Sequence, residues 1–311
     1  MSKMAEVFSV NISKEKGTIK QPVDSIDLDL DGIVSDAHAG PWHRQVSLLS
    51  QESIQHFSEE IGRKIEPGEF AENITMQGID LSQASLLDRF RIGPVELQLT
   101  QIGKKCHGDA CAIFREVGKC VMPKEGIFCR VLQGGSIRAG DKIKYQPKIW
   151  KFRVITLSDR AHRGDYSDRS GPLAKDQLDG FAAAKHWRSA TETVVLPDDA
   201  SHLQTALETA RDEAVDIVVT TGGTGVGPRD ITPETVTKFC DKIIPGIMDA
   251  IRIKFGQDKP NALLSRSVAG VTGTMLVYAI PGSVKAVKEY MSEITKTIEH
   301  LIQMLHGLDV H

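Results

Sequence analysis

Val218-Val219-Thr220-Thr221-Gly222-Gly223-Thr224-Gly225-Val226-Gly227-Pro228-Arg229-Asp230-Ile231-Thr232-Pro233-Glu234 is an apolar β-branched run that breaks into a glycine loop and then starts a helix. The run has the pattern of a buried strand. Glycines let backbone amides approach a ligand with no Cβ in the way. Thr232 followed by Pro233 reads as an N-cap with proline at the first helical position, which aims the positive end of a helix back at the loop. Strand, glycine turn and helix in this order predict an α/β unit with an anion site at its mouth. No Lys-Ser or Lys-Thr follows the glycines, so the loop is not a Walker motif, and it lacks the Gly-x-Gly-x-x-Gly spacing of a dinucleotide fold. A Gly-rich turn alone is as often structural as functional. Arg229 and Asp230 beside it favour a ligand.

Around this loop, residues 152 to 157 read as a strand, and residues 203 to 214 and 283 to 305 as amphipathic helices. The second half is therefore expected to be α/β, a mostly parallel sheet sandwiched by helices. The first half shows short strands at 7 to 12, 45 to 49, 95 to 101, 127 to 132 and 142 to 145, with one helix over 50 to 61. That mix predicts a small, mainly β domain closed into a barrel. A proline break at Pro147 puts the boundary there, giving domains at 1 to 147 and 152 to 311.

The composition narrows the function. A chain of 311 residues, 41% apolar and 25% charged, suits two globular domains. A net charge of −3 argues against nucleic acid as a partner. No apolar run reaches membrane-spanning length and no apolar core of a signal peptide follows Lys3 and Glu6, so no membrane is expected and the cytoplasm is. The odd count of five cysteines, four of them crowded at Cys106, Cys111, Cys120 and Cys129, suits thiol chemistry, a metal site or plain core better than a disulfide framework.

The string Thr-Thr-Gly-Gly-Thr-Gly through Arg-Asp-Ile-Thr-Pro-Glu resembles the signature of the molybdopterin-binding family that includes the molybdopterin adenylyltransferases and the gephyrin G domain. The resemblance continues through Ser158-Asp159-Arg160, Gly164-Asp165-Tyr166-Ser167-Asp168, Leu196-Pro197-Asp198-Asp199, Ile244-Pro245-Gly246, Leu264-Ser265-Arg266 and Ile280-Pro281-Gly282-Ser283. It covers residues 152 to about 305. The first half resembles a MOSC domain on Asp31-Gly32-Ile33 through Asp36-Ala37-His38-Ala39-Gly40, on residues 44 to 49 and 68 to 74, and on the stretch ending at Cys106.

The family resemblance implies adenylyl transfer, with ATP and molybdopterin as substrates and Mg2+ as cofactor. Asp198 and Asp230 are then the catalytic and metal-holding carboxylates, since a carboxylate beside a phosphate is repulsive unless a divalent cation lies between. Ser158, Asp159, Thr221, Gly222, Gly223, Thr224, Gly225, Arg229, Ser265, Arg266, Pro281, Gly282 and Ser283 are the candidate ligand-binding residues. Local readings compete with these roles: Asp198 as a helix cap, Asp159 as a turn former, Ser283 as a cap of the last helix, Arg229 and Arg266 as partners of nearby carboxylates. Cys106, beside Lys104, Lys105 and His107, is the best candidate nucleophile, because positive charge favours the thiolate. The MOSC resemblance makes it a sulfur carrier or a contact to the molybdenum cofactor. A zinc site at Cys106, His107, Cys111 and Cys120 lacks any Cys-x-x-Cys pair, and Cys129 on an alternating strand reads as core. The resemblance further implies a homotrimer that works with other proteins of molybdenum cofactor assembly. The rival reading is a non-catalytic carrier of the pterin.

Overall fold

The computed structural model describes residues 5 to 104 and 121 to 308. The chain divides into two compact units, one running up to residue 148 and the other from residue 149 to 307.

In the first unit the described strands are β1 (Glu6–Ile12), β2 (Gln21–Val23), β3 (Ser25–Asp29), β4 (Gly32–Ile33), β5 (Val46–Ser50), β6 (Ile74–Gln77), β7 (Arg89–Ile92), β8 (Val95–Ile102), β9 (Ile127–Gln133), β10 (Gly135–Arg138) and β11 (Ile143–Gln146), with helices α1 (Gln51–Ile61) and α2 (Met122–Glu125). Ser50 caps α1 by accepting from the Ser53 amide at 2.9 Å, and Gly62 ends it in the left-handed conformation that favours glycine. Among the described residues the larger sheet has the open order β11-β7-β8-β9-β5-β6-β1-β2, beside a smaller sheet β10-β3-β4. These ladders do not by themselves close the expected barrel. β1 also meets the chain at the start of β11, through a bridge between Glu6 and Lys142 and through backbone bonds from the Val7 amide to Asp141, from Gly140 to Val7 and from Ile143 to Ala5. Alternating residues such as Leu97, Leu99, Cys129 and Val131 fill the core.

Lys20 and Asp36 form an ionic pair inside this unit. Lys20 is 1% exposed, with its Nζ 2.5 Å from Asp36 Oδ2. Asp36 also accepts from the Ser13 amide at 3.0 Å, Asn73 Nδ2 at 3.1 Å and the His38 amide at 2.9 Å. Burial pushes the Asp36 carboxyl up, but hydrogen bonds from His38 and Lys20 outweigh it and hold the group well below the usual carboxylate range.

The second unit runs β12 (Ile149–Leu157), α3 (Asp159–His162), α4 (Ser170–Ala184), β13 (Arg188–Leu196), α5 (Ala200–Asp212), β14 (Ile217–Thr221), α6 (Thr232–Phe239), β15 (Lys242–Ile243), α7 (Pro245–Gly256), β16 (Val268–Thr272), β17 (Met275–Ile280) and α8 (Val284–Leu305). Among the described residues its sheet has the order β13-β12-β14-β17-β16-β15. The first four strands pair in parallel, and β16 and β15 add on antiparallel, making a mixed sheet. Every residue of β14 and β17 is buried, which is why both read as unbroken apolar runs. Leu203, Leu207 and Ala210 of α5 and Val236 of α6 pack onto Ile155, Val218 and Val277. Helices α4 and α8 pack on each other and on the sheet.

Helix α8 buries Val287, Tyr290, Met291, Ile294, Ile298 and Ile302, the 3.6-residue stripe expected of it. Each large aliphatic residue buried there contributes roughly 1.5–3 kcal/mol. That stripe is consumed within its own unit, leaving Val284 and Met304 as the large apolar side chains the helix exposes. No described helix is long and apolar enough to cross a membrane.

Candidate active site

The parallel strands end in register: Leu157 lies opposite Leu196, Thr156 opposite Thr221, and Thr221 opposite Ile280. The loops that follow, beginning at Ser158, Pro197, Gly222 and Pro281, therefore emerge along one edge of the sheet. From β12 the chain goes to β13 on one side and then returns to β14 on the other, so this edge is a topological switch point, where open α/β sheets bind ligands.

The glycine loop is shaped by close approach. Gly222 has φ +102°, and a Cβ there would sit 2.4 Å from the Leu157 carbonyl oxygen. A Cβ on Gly282 would come within 3.1 Å of the Gly222 Cα, so the Pro281-Gly282-Ser283 turn rests on the loop. Thr232 does not cap the next helix as expected. The cap is Ile231, and the Thr232 hydroxyl donates to the Gly222 carbonyl at 2.9 Å, tying the loop to the helix instead of satisfying the helix's own amides. Arg266 clasps the loop from outside: Nε donates to the Gly225 carbonyl at 2.6 Å, Nη2 to the Asp230 carbonyl at 2.7 Å, and Nη1 pairs with Glu234. Its guanidinium is thereby committed to loop shape. Ser265 lies beside it, its hydroxyl 2.6 Å from Ser267 and 3.5 Å from Thr224.

Carboxylates gather against the loop. Asp230 Oδ2 accepts from the Gly227 amide at 2.8 Å, and a Cβ on Gly225 would lie only 2.7 Å from that oxygen. Asp159 and Asp198 exchange bonds, the Asp159 amide to Asp198 Oδ2 at 3.1 Å and the Asp198 amide to Asp159 Oδ1 at 3.0 Å. Arg229 pairs with Asp159 and reaches to 3.7 Å from Asp198. Burial, and next the negative charge of Asp230, push the Asp198 carboxyl up against an opposing pull from Arg160. Asp198 is not the cap of α5. Asp199 takes that place, accepting from the amides of Ser201 and His202.

Ser158 caps α3 and its hydroxyl lies 3.0 Å from that of Tyr166. Thr221 is buried beneath the loop, 3.3 Å from the Thr156 hydroxyl and 3.1 Å from that of Ser170. Asp168 completes this support by accepting from Thr156 at 2.7 Å and from the Ser170 amide at 2.9 Å. Among the described residues no three His, Cys, Asp or Glu side chains converge as a ready-made metal site. Two neighbouring hard carboxylates nevertheless fit Mg2+, which commonly takes one or two protein carboxylates and completes its shell with substrate phosphates and water.

A cleft of about 450 Å³ opens beside the loop, walled by Gly223, Thr224, Gly225, Asp230, Ser265 and the Pro281-Gly282-Ser283 turn. Ser158, Asp159, Thr221, Gly222, Asp198 and Arg229 are outside its lining, and Asp230 belongs to both groups. Sequence reading missed Lys259, Lys285 and Tyr290 on the far wall. Tyr290 falls on the buried stripe of α8 and reads as core, and nothing local sets Lys259 apart from a surface lysine. Ser283 caps α8 by accepting from the Ala286 amide at 3.2 Å.

Cys106, with Lys105, His107, Cys111 and Cys120, lies outside the described residues. Burial pushes the Cys129 thiol well up and that of Cys240 up to about 11, so neither is held as a thiolate at neutral pH.

The comparisons with known proteins bear on each half separately. Residues 153–300 match the model of a "Probable molybdopterin binding domain", and residues 35–144 match that of the MOSC domain. The molybdopterin adenylyltransferase of Pyrococcus furiosus is 34% identical over 165 residues, covering 51% of this chain and 94% of the relative. Molybdenum cofactor biosynthesis protein B of Staphylococcus carnosus is 36% identical, covering 49% and 88%. Gephyrin of Dictyostelium discoideum is 34% identical over 51% of this chain, which spans only 23% of that longer protein. The edge of the second sheet, its glycine loop and its facing aspartates thus lie in a stretch shared with these proteins, and the chain belongs to the molybdopterin-binding family of the molybdopterin adenylyltransferases, with a MOSC domain ahead of that unit.

Proposed function

We propose that the second unit adenylylates molybdopterin in molybdenum cofactor biosynthesis. A phosphate oxygen of molybdopterin attacks the α-phosphorus of ATP, a new P–O bond forms, the α–β bond breaks, and pyrophosphate leaves. Such a reaction asks the protein for alignment of two anions and for neutralisation of developing charge. The observation that carries the reading is that Asp230 is bonded to a loop amide, that of Gly227, while Asp198 lies 3.7 Å from Arg229, the residue before Asp230: each carboxylate is acceptor-only when ionised, and a phosphate placed beside them calls for a cation. Asp198 and Asp230 would hold Mg2+, which when bound offsets the charge of the nucleotide's phosphates. The glycine loop and the Ser283 turn supply amides, Arg266 holds the loop rigid, and Arg229 keeps Asp159 and Asp198 in place. Incubating the purified chain with molybdopterin and Mg-ATP should release pyrophosphate and yield an AMP adduct. Tight pterin binding without either product would establish the carrier instead.

The first unit, in the same proposal, binds or sulfurates the product, with Cys106 carrying the sulfur. Cys106→Ser should abolish persulfide labelling, and labelling that persists would move the role to Cys111 or Cys120. A cytoplasmic homotrimer also belongs to this proposal, and light scattering that finds a monomer would remove the trimer from it.

A further inference from the structure

The far wall of the cleft is built for an anion. Lys259 and Lys285 both line it, and their ammonium groups are close enough that Lys259 lowers the proton affinity of Lys285. Lys259 has a carboxylate partner, Glu289, at 2.7 Å. Among the described residues no carboxylate pairs with Lys285 within ion-pair distance, and Glu289 acts on it only from further off. The cleft's lining thus carries two lysines against Glu289 and, on the glycine-loop side, Asp230, and Lys285 is the lysine that no carboxylate pairs among the described residues. The first turn of α8 adds its amide dipoles to the same wall through Ser283 and Ala286.

An independent feature of the same wall is the Tyr290 hydroxyl. Tyr290 is 3% exposed and lines the cleft, yet its Oη has no hydrogen-bond partner. A buried hydroxyl left unpaired costs folding free energy, and nearly all such groups find a partner.

We infer that Lys259, Lys285 and Tyr290 form a phosphate-binding arm of the cleft, gripping the phosphate end of a ligand whose other end reaches the glycine loop. This deepens the adenylyl-transfer reading and rests on it for the identity of the ligand, which supplies phosphate from one of two sources: the β and γ groups of the nucleotide or the phosphate of the pterin. The lysines give charge-assisted hydrogen bonds, the tyrosine a neutral one, and the arm lies outside the Asp198–Asp159–Arg229 group.

The test measures binding by the full chain of ATP, inorganic pyrophosphate and molybdopterin, each titrated separately into wild type, Lys285→Gln, Lys259→Gln with Lys285→Gln, and Tyr290→Phe. Lys285→Gln should weaken the gripped ligand about tenfold, and the double variant should weaken it further and flatten its salt dependence. Tyr290→Phe should keep or raise the Tm of the free protein, because it removes an unpaired hydroxyl, while shrinking the rise in Tm that the ligand induces. Loss for ATP and pyrophosphate alone assigns the arm to the nucleotide, and loss for molybdopterin alone assigns it to the pterin. Unchanged affinity for all three ligands in the double variant overturns the inference. Pyrophosphate binding needs no turnover, so an arm that works in a protein releasing no AMP adduct would sink the enzymatic reading and leave the arm standing.

Discussion

Lys20 and Asp36 in the first unit and Asp198 and Asp230 in the second are both pairs of charged groups held partly or wholly out of water, and they are held to opposite ends. Opposite charges meet in the first pair, both carboxylate oxygens of Asp36 accept hydrogen bonds, and its carboxyl is driven below the ordinary range. In the second pair burial, and next the like charge of Asp230, drive the Asp198 carboxyl up, with Arg229 only as near as 3.7 Å. The contrast teaches how to tell a brace from a site. A brace satisfies itself, whereas a site keeps an electrostatic demand that a ligand answers.

The strongest way to break this contrast is to remove one partner of the brace. Asp36→Asn leaves the Lys20 ammonium buried without its counter-charge, a loss of about 3–5 kcal/mol. Urea unfolding followed by a probe in the first unit should show that loss, with adenylylation by the second unit kept under conditions where both units are folded. A variant as stable as wild type would mean that Lys20 is not held by Asp36.

Next in size is Asp230→Asn, which keeps an oxygen for the Gly227 amide and opens no cavity but removes the charge. Turnover should fall on the order of a hundredfold or more, while Tm and pterin affinity stay near wild type. Near-normal turnover would take the catalytic role away from Asp230 and favour the carrier.

Gly222→Ala sharpens the comparison from the backbone side. It forces a Cβ to 2.4 Å from a carbonyl at φ +102°, so a cost of about 1–3 kcal/mol and a displaced loop are expected. Weakened pterin binding with a lowered urea midpoint is the expected pair of readings, and unchanged values for both would show that the loop is not held as tightly as its geometry requires.

The smallest effect is a difference of sign with pH. Asp36 has a depressed folded pKa, so its contribution is present above an unfolded value of about 3.9 and is lost as the pH falls through the lower folded value. Asp198 has a raised folded pKa, so any stability it lends is present below about pH 3.9 and is lost as the pH rises through the folded value. Asp198→Asn should therefore leave the second unit slightly more stable than wild type at pH 7, with the gain vanishing near pH 3.5, while turnover falls as for Asp230→Asn. A Tm that drops at pH 7 would make Asp198 a brace like Asp36.

Local rules were legible where they act within a turn or along one strand. The run at 217 to 221, the stripe of α8, the Ser283 cap and the motif order of the second half follow from patterns that span a few residues, so the α/β unit and its ligand-facing edge were determined by the sequence itself. Tertiary structure alone decided the rest. Asp199 instead of Asp198 caps α5 because Asp198 is tied 39 positions back to Asp159. Thr232 turns to Gly222 instead of its own helix, and Arg266 spends its guanidinium 36 to 41 positions upstream on the loop. Lys259, Lys285 and Tyr290 come together only because the chain before β16 and the first turns of α8 face one cleft. In the first unit the start of β1 bonds to residues 140 to 143 at the start of β11, and no strand carries in its own residues the identity of a partner so far along the chain. The reason is common to all of these: propensity and capping are energies between near neighbours in the chain, whereas a site is assembled from residues whose nearness is set by packing.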